Sequence, residues 1–181
     1  MLKEGVVVLR RPVEEDIPFI AKLANNKKVW DNLRDYFPHP YSQEDAQSFL
    51  AVIKNENPPL TFAIEYRKEF CGIISIVPPG DVYKRTAEIG YWLGEPYWGK
   101  GIMTTAVKLI TTYAFSPQFD FIRLYAGIFE YNVASMRILE KNGYKKTAGT
   151  NWPFHPKTEL IRGVLKDECI KLMKDFFKNK R

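Results

Sequence analysis

The sequence predicts a mixed α/β (α+β) domain, and two observations indicate this class. Residues 60–66, 70–77 and 86–93 are strand-like runs joined by short polar segments, which is typical of an antiparallel meander. After residue 99, helix-like and strand-like segments alternate. A length of 181 residues with 45% hydrophobic side chains suits a single domain over 1–181, with a basic tail at 174–181.

The other elements are predicted from hydrophobic periodicity and capping residues. A strand at 6–10 precedes a helix at 14–24, and Ser42 with Asp45 approximates a capping box for a helix that ends near Asn55. Prolines predict a loop with apolar anchors between 29 and 41. The total is about seven strands and about four helices. The remaining helices and strands are expected at 99–115 and 132–142, and at 122–128, 144–150 and 168–173, with 160–165 as an alternative to the last.

Composition and charge restrict the function classes. No apolar run approaches the ~18 residues of a membrane span, and no signal-peptide core is visible, so we expect a cytoplasmic protein without a membrane partner. Two isolated histidines and two distant cysteines predict no metal site. The net charge of +6 fits a polyanionic ligand. The basic tail is interpreted as solvated terminus rather than a nucleic-acid patch, because basic residues elsewhere are dispersed among acids.

Gly99-Lys100-Gly101 stands where a strand passes into a helix. The first N–H groups of a helix lack partners and its N-terminus carries about half a positive charge, so phosphate binds there when glycine permits close approach. Three or four charge-assisted hydrogen bonds of about 1.5–3 kcal/mol each would hold a pyrophosphate. A tight turn that caps a helix explains these residues equally well. The longer glycine patterns of dinucleotide folds and triphosphate loops are absent, which argues against NAD and ATP.

A second segment gives this glycine pair a family context. Asn132 opens a helix directly after an apolar strand, and Gly143 ends it; alone, this is an Asn-capped helix with a glycine stop. Together with Glu88-Ile89-Gly90-Tyr91-Trp92-Leu93 and the glycine pair, its order and spacing resemble the GNAT superfamily of N-acetyltransferases. More narrowly, they resemble the RimJ/RimL-like branch, whose members acetylate N-terminal amines of ribosomal proteins.

The resemblance implies a mostly antiparallel central sheet that splays after its fourth strand, with acetyl-CoA as the cosubstrate. Asn132 would hydrogen-bond the pantetheine arm. Pro96 and Leu139 depart from the family, which often has Gln or Arg at the first position and a tyrosine acid at the second. The fourth-strand main chain that would pair with pantetheine comprises Gly90, Tyr91, Trp92 and Leu93, and the amides that would hold the pyrophosphate belong to Trp98, Gly99, Lys100, Gly101, Ile102 and Met103.

Acetyl transfer from a thioester to an amine needs a base, an oxyanion donor and a proton source for the thiolate. Because the family's tyrosine is absent, Ser135 is the nearest candidate for the proton donor. Glu88 is the candidate base, directly or through water, and an N–H near Trp92 or Leu93 is the candidate oxyanion donor. A local backbone hydrogen bond for Ser135 and an outward-facing strand carboxylate for Glu88 are the alternatives.

The acceptor amine is less determined. An α-amine has a pKa near 8 and a lysine near 10.4, so deprotonation at pH 7 costs about 1.4 and about 4.8 kcal/mol respectively, which favours a protein or peptide N-terminus. A small amine (polyamine, aminoglycoside or amino acid) is the alternative, and a non-catalytic CoA-binding module is the second. No direct nucleic-acid binding is expected, and a homodimer is common among similar proteins.

The aromatic loop before residue 42 is the candidate acceptor site. Trp30, Phe37 and Tyr41 would line it, and Asp31 or Asp35 would attract the cationic amine. Covering the core is a somewhat stronger interpretation of the aromatic residues.

Overall fold

The computed structural model describes residues 1–146 and, as backbone, residues 158–162. The chain divides into two compact units. The first comprises Met1–Ile76 and Gly90–Tyr113, and the second comprises Val77–Ile89 and the described residues from Ala114 onward. The expectation of one domain stays a prediction. Eight strands and five α-helices lie in the described residues: β1 Leu2–Glu4, β2 Val7–Arg10, α1 Ile17–Ala24, α2 Lys27–Trp30, α3 Gln43–Ile53, β3 Thr61–Tyr66, β4 Glu69–Val77, β5 Thr86–Leu93, α4 Ile102–Ala114, β6 Arg123–Phe129, α5 Val133–Lys141, β7 Lys145–Lys146 and β8 Thr158–Arg162.

The first unit contains an antiparallel meander in the order β1-β2-β3-β4, followed by the end of β5. Leu9 of β2 pairs with Ile64 of β3, which pairs with Gly72 of β4. The predicted succession of β3, β4 and β5 is therefore confirmed, and β2 and the unpredicted β1 extend it. Sequence periodicity missed β1 because it has only three residues, none of them buried.

Helices cover both faces of this meander. Ala63 and Ile73 face a cluster with Ile20 and Ala24 of α1 and Ala46 of α3. The neighbouring residue Phe62 points to the opposite face, where its ring meets Tyr113 of α4 edge-on at 5.2 Å. The alternation of side chains along β3 thus gives each face its own core.

Helix α3 begins as the sequence predicts. The amide of Asp45 donates to Ser42 Oγ at 3.1 Å, and the Ser42 amide donates to Asp45 Oδ2 at 2.8 Å. The Ser42 hydroxyl also donates to Asp45 Oδ2, at 2.8 Å, and the bonds from the Ser42 amide and hydroxyl lower the pKa of Asp45 because they favour the ionised carboxylate. In contrast, α2 was not predicted; it is a single turn, capped by Asn26, that overlaps the start of the loop expected at 29–41.

The second unit pairs the start of β5 in parallel with β6, through Thr86↔Arg123, Ala87↔Leu124 and Glu88↔Tyr125. β6 is antiparallel to β8, which is antiparallel to β7. The observed β8 overlaps the alternative strand at 160–165, whereas the preferred 168–173 lies outside the described residues, as do the tail and most of 144–150. The mixed, mostly antiparallel sheet is confirmed.

Candidate active site

The glycine pair has the backbone shape of an anion-binding turn. Gly99 and Gly101 have φ values of +73° and +74°, a region that favours glycine, and α4 begins at Ile102. A Cβ added to either glycine would meet no heavy atom within 4 Å. Residues 98–103, which we call the cradle, therefore present main chain to open space at a helix N-terminus.

Surrounding contacts hold the cradle in place. The Trp98 indole Nε1–H donates to the Leu93 carbonyl at 2.7 Å, and the Trp98 amide donates to the Glu95 carbonyl at 3.1 Å. Lys100 Nζ lies 5.5 Å from the Tyr97 ring centroid. The side chains of Ile102 and Met103 are buried in the core. Because the Trp98 amide is already bonded, the amides that follow it are better placed to bind an anion.

The two edges of the end of β5, residues 90–93, differ in their neighbours. Gly90 has no neighbour within 4 Å of an added Cβ and lies outside the left-handed region, so neither packing nor backbone geometry requires glycine there. On the β4 side, an added Cβ at Gly72 would lie 2.3 Å from the Trp92 carbonyl oxygen, and the Gly94 amide donates to the Cys71 carbonyl at 2.8 Å. The ladder with β6 ends at Glu88, before this segment.

Residues 30–41, which we call the acceptor loop, contain the four predicted acceptor residues. Tyr41 is 7% exposed, and burial, with Asp45 as a smaller cause, raises its pKa to about 12. Phe37 stacks on Tyr41 at 4.9 Å and meets Trp92 edge-on at 6.4 Å. Trp30 Nε1–H donates to the Phe37 carbonyl at 2.9 Å, and Asp35 is exposed. The core role holds for Tyr41, whereas Phe37 and Trp30 are only partly buried.

The second unit contains the other three predicted residues. Asn132 caps α5: its Oδ1 accepts from the Ser135 amide at 3.0 Å. Ser135 is 6% exposed, and Leu139, at the position of the absent tyrosine, is fully buried. Glu88 is partly buried on the face of β5 opposite the buried Ala87. Asn132 and Ser135 thus form one local structure, and the capping interpretation of Asn132 is confirmed as a contact.

Sequence reasoning missed the residues that brace the cradle. Glu95 accepts hydrogen bonds from Asn26 Nδ2, at 2.8 Å, and from Lys28 Nζ. These partners lie 69 and 67 positions away, and no local pattern indicates such pairing. Gly72 was also missed, although an isolated glycine in a strand pattern is a general sign of close backbone approach.

The family assignment follows from comparison of the whole chain. The Acetyltransferase (GNAT) domain family matches residues 7–145, from β2 to the first residue of β7. This chain belongs to the GNAT acetyltransferases. Family membership makes the protein an acyltransferase and confirms the resemblance drawn from the strand, the glycine pair and Asn132.

Individual relatives of this GNAT domain differ in their acceptors. The probable N-acetyltransferase YjcK of Bacillus subtilis (strain 168) is 48% identical over 86 residues, covering 48% of this chain and only 44% of YjcK. A spermidine N(1)-acetyltransferase of Escherichia coli (strain K12) is 29% identical over 137 residues, covering 74% of this chain and 70% of that enzyme. RimL, a ribosomal L7/L12 alpha-N-protein acetyltransferase solved with coenzyme A, has a TM-score of 0.74 at 20% identity, covering 90% of this chain and 96% of its own. RimL therefore shares the fold.

Two further features of the GNAT domain concern metal ions and membranes. Within the described residues, no group of three or more His, Cys, Asp or Glu side chains could hold a metal ion. None of the helices in this part of the chain has the length and apolar content that crossing a membrane requires.

Proposed function

We propose that this GNAT domain uses acetyl-CoA to acetylate a primary amine, foremost the N-terminal α-amine of a protein or peptide. The observation that supports the cofactor is the pair of left-handed glycines, Gly99 and Gly101, at the start of α4. Gly5 has a similar backbone and similar open space, but it lies between two strands, whereas the cradle amides lie at a helix N-terminus. A pyrophosphate would accept hydrogen bonds from those amides.

The reaction is direct attack of the amine nitrogen on the thioester carbonyl in a ternary complex. The C–N bond forms, the C–S bond breaks, the amine loses a proton and the thiolate gains one. Glu88, directly or through water, would take the first proton and Ser135 would supply the second. Asn132 would hydrogen-bond the pantetheine arm.

Strand geometry favours Leu93 over Trp92 as the oxyanion donor. A strand residue directs its N–H and C=O to the same side, and the sides alternate along the chain. The Trp92 carbonyl and the Gly94 amide face β4, whereas the Leu93 carbonyl accepts from Trp98. The Leu93 N–H therefore points away from β4, where a thioester oxygen could approach it.

The charges near the acceptor loop favour an acceptor with a single cation. Asp31 is paired with Lys27, and Glu95 with Lys28. Of the two carboxylates within residues 30–41, Asp35 alone makes no ion pair with a described residue. One such carboxylate in the loop suits one ammonium group, whereas a polyamine would be better matched by several. Spermidine is the second candidate, because the aligned spermidine acetyltransferase covers most of the chain.

The proposal is tested by thiol-release kinetics with acetyl-CoA against N-terminal peptides, spermidine, aminoglycosides and amino acids. We expect the highest kcat/KM with a peptide α-amine. A higher value with spermidine would replace the proposed acceptor. CoA binding in calorimetry without thiol release from any amine would indicate a non-catalytic CoA-binding module, and no CoA binding would contradict the proposal altogether.

A matched pair of glycine variants tests the cradle. Gly5, like Gly101, has a left-handed backbone, with φ of +57°, and no neighbour near an added Cβ. Gly5→Ala and Gly101→Ala should each cost about 1–2 kcal/mol of stability. Only Gly101→Ala should weaken CoA binding, by about tenfold or more, the equivalent of one charge-assisted hydrogen bond. Equal CoA affinity of the two variants would contradict cradle binding.

A further inference from the structure

We propose that Glu95 is a positioning residue that couples the cradle to the acceptor loop, an inference that rests on the proposed function. Glu95 begins the 3-10 turn Glu95–Tyr97, which leads directly into the cradle. Its two carboxylate oxygens accept from different groups before and within α2: Oε2 from Asn26 Nδ2 at 2.8 Å and Oε1 from Lys28 Nζ. One side chain therefore joins the entrance of the cradle to the start of α2.

The same carboxylate also fixes the cap of α2. Asn26 Oδ1 accepts from the Lys28 amide at 2.8 Å, while Asn26 Nδ2 donates to Glu95. An asparagine amide has distinct donor and acceptor ends, so the bond to Glu95 keeps the oxygen directed at the helix. Lys28 Nζ holds the second carboxylate oxygen. Both partners lower the pKa of Glu95, Lys28 more strongly, because their hydrogen bonds favour the ionised carboxylate.

From α2 the contacts continue through the acceptor loop and return to β5. Trp30, the last residue of α2, donates from Nε1 to the Phe37 carbonyl at 2.9 Å. The Phe37 ring meets Trp92 of β5 at 6.4 Å. Trp92 and Glu95 are three positions apart, so the acceptor loop and α2 are held at both ends by one short segment.

This segment leaves little freedom for independent movement. A Cβ added to Gly94 would lie 2.8 Å from Leu23 Cδ2, so the chain packs directly on α1 just before Glu95. A ligand that orders the cradle therefore also favours the position of the turn that holds Asn26 and Lys28. Coupling of this kind is reciprocal. If bound cofactor orders the acceptor loop and so raises the affinity for the acceptor, a bound acceptor raises the affinity for the cofactor by the same factor.

The alternative to a coupling role is that Glu95 and Lys28 form only a surface ion pair. The Lys28 and Glu95 side chains are 68% and 35% exposed, and exposed pairs contribute little to stability. The chain offers a matched control in Lys108–Glu4, with exposures of 62% and 45%, which joins α4 to β1 in the same unit. Stability alone does not separate the two interpretations, so the readout must depend on the ligand.

The experiment is amide hydrogen exchange of the full chain with and without saturating CoA. In the wild-type protein, CoA should slow exchange in both the cradle and residues 30–41, the latter by about fivefold or more, the lower end of typical coupling between sites. In Glu95→Ala, CoA should still protect the cradle but no longer protect residues 30–41. Glu4→Ala should behave as the wild-type protein does.

A second variant covers the case in which Glu95→Ala does not fold. Asn26→Ser keeps a good N-cap for α2 but removes the amide that donates to Glu95, and it should also weaken the CoA effect on residues 30–41. CoA that fails to bind the wild-type protein would contradict the proposed function and this inference with it. CoA that protects the cradle, but leaves residues 30–41 unchanged or protects them equally in the variants, would overturn the coupling alone.

Discussion

The indole of Trp92 meets the phenyl ring of Phe37 edge-on, with 6.4 Å between the ring centroids. Trp92 belongs to the end of β5 and Phe37 to the acceptor loop, so one aromatic contact sets the distance between the two. Trp92 also meets Phe70 of β4 at 6.3 Å, which ties this contact to the buried core. A core role and a site role are therefore compatible for Phe37: one side packs, and the rest stays partly exposed.

Phe37→Leu tests this contact. Leucine keeps apolar volume but removes both ring contacts, so we expect a loss of about 0.5–1.5 kcal/mol in the free energy of unfolding, measured in urea. Tyr36→Leu is the control, because Tyr36 is 80% exposed and its replacement should change stability by less than about 0.5 kcal/mol. Losses of equal size in the two variants would show that the Phe37 contact adds nothing specific.

Gly72→Ala and Gly90→Ala should have opposite consequences. A Cβ at Gly72 would lie 2.3 Å from the Trp92 carbonyl oxygen and 3.0 Å from Leu93 Cα, both backbone atoms that cannot swing aside. We expect Gly72→Ala to destabilise the fold by about 1–3 kcal/mol or more, as overpacked sites do. Thermal unfolding measures this effect, and an unchanged Tm would contradict the close approach of the two strands.

Gly90→Ala should leave the fold intact. No heavy atom lies within 4 Å of the added Cβ, and alanine loses less backbone entropy on folding than glycine. If pantetheine pairs with this strand, the same methyl group enters its space, so CoA affinity should fall while Tm stays constant or rises. Calorimetry with CoA checks the prediction, and an unchanged affinity would remove Gly90 from the proposed cofactor residues.

Arg10→Ala should be far more damaging than removal of an exposed ion pair. Arg10 donates to both oxygens of Asp16, at 2.7 Å each, and from Nε to Glu65 at 2.9 Å. The Asp16 side chain is only 4% exposed, so the variant leaves a buried charge without its partner. We expect a loss of about 3–5 kcal/mol in urea unfolding. Lys108→Ala should cost about 1 kcal/mol or less.

Local patterns predicted most of the fold, and pairwise contacts between distant segments were not accessible to them. The Ser42–Asp45 box, the Asn132 cap and the apolar strand at 122–128 can each be identified from a few neighbouring residues, and the structure has all three, the last as β6. β1 was missed because none of its three residues is buried, and α2 because one helical turn gives no period to detect. The last strand was ambiguous because 160–165 and 168–173 both have strand character.

The candidate site was predicted unevenly for the same reason. Glycine favours a positive φ and permits close approach to an anion, and both Gly99 and Gly101 have a positive φ in the structure. Glu95 carries no such mark: it is an ordinary polar residue until Asn26 and Lys28 fold against it. The sequence also allowed two roles for Phe37, one in the core and one in the acceptor site. The contact with Trp92 makes the two roles compatible, and no local pattern predicts that contact.

The capping box predicts a specific acid sensitivity. Hydrogen bonds from the Ser42 amide and hydroxyl lower the pKa of Asp45. A carboxylate with a lowered folded pKa contributes stability that is complete above its unfolded pKa of about 4 and is lost as pH falls through the folded value. The stability difference between the wild-type protein and Asp45→Asn should therefore be constant from neutral pH to about pH 5 and shrink below about pH 4. Urea unfolding across this range measures it. Glu44→Gln alters charge in the same turn without breaking the box, and its difference should be the smaller.

Asn132→Asp separates the cap of α5 from the proposed cofactor contact. Asn132 Oδ1 accepts from the Ser135 amide, and an aspartate oxygen would accept equally well at a helix N-terminus, so stability should change by less than about 0.5 kcal/mol. The side-chain amide donors are lost, however, and a carboxylate cannot donate to the pantetheine arm. CoA affinity should fall by about tenfold or more, the cost of one broken hydrogen bond to a buried partner. Asn132→Ala should lose the same affinity and also about 1 kcal/mol of stability. Full CoA affinity in Asn132→Asp would leave Asn132 as a helix cap alone.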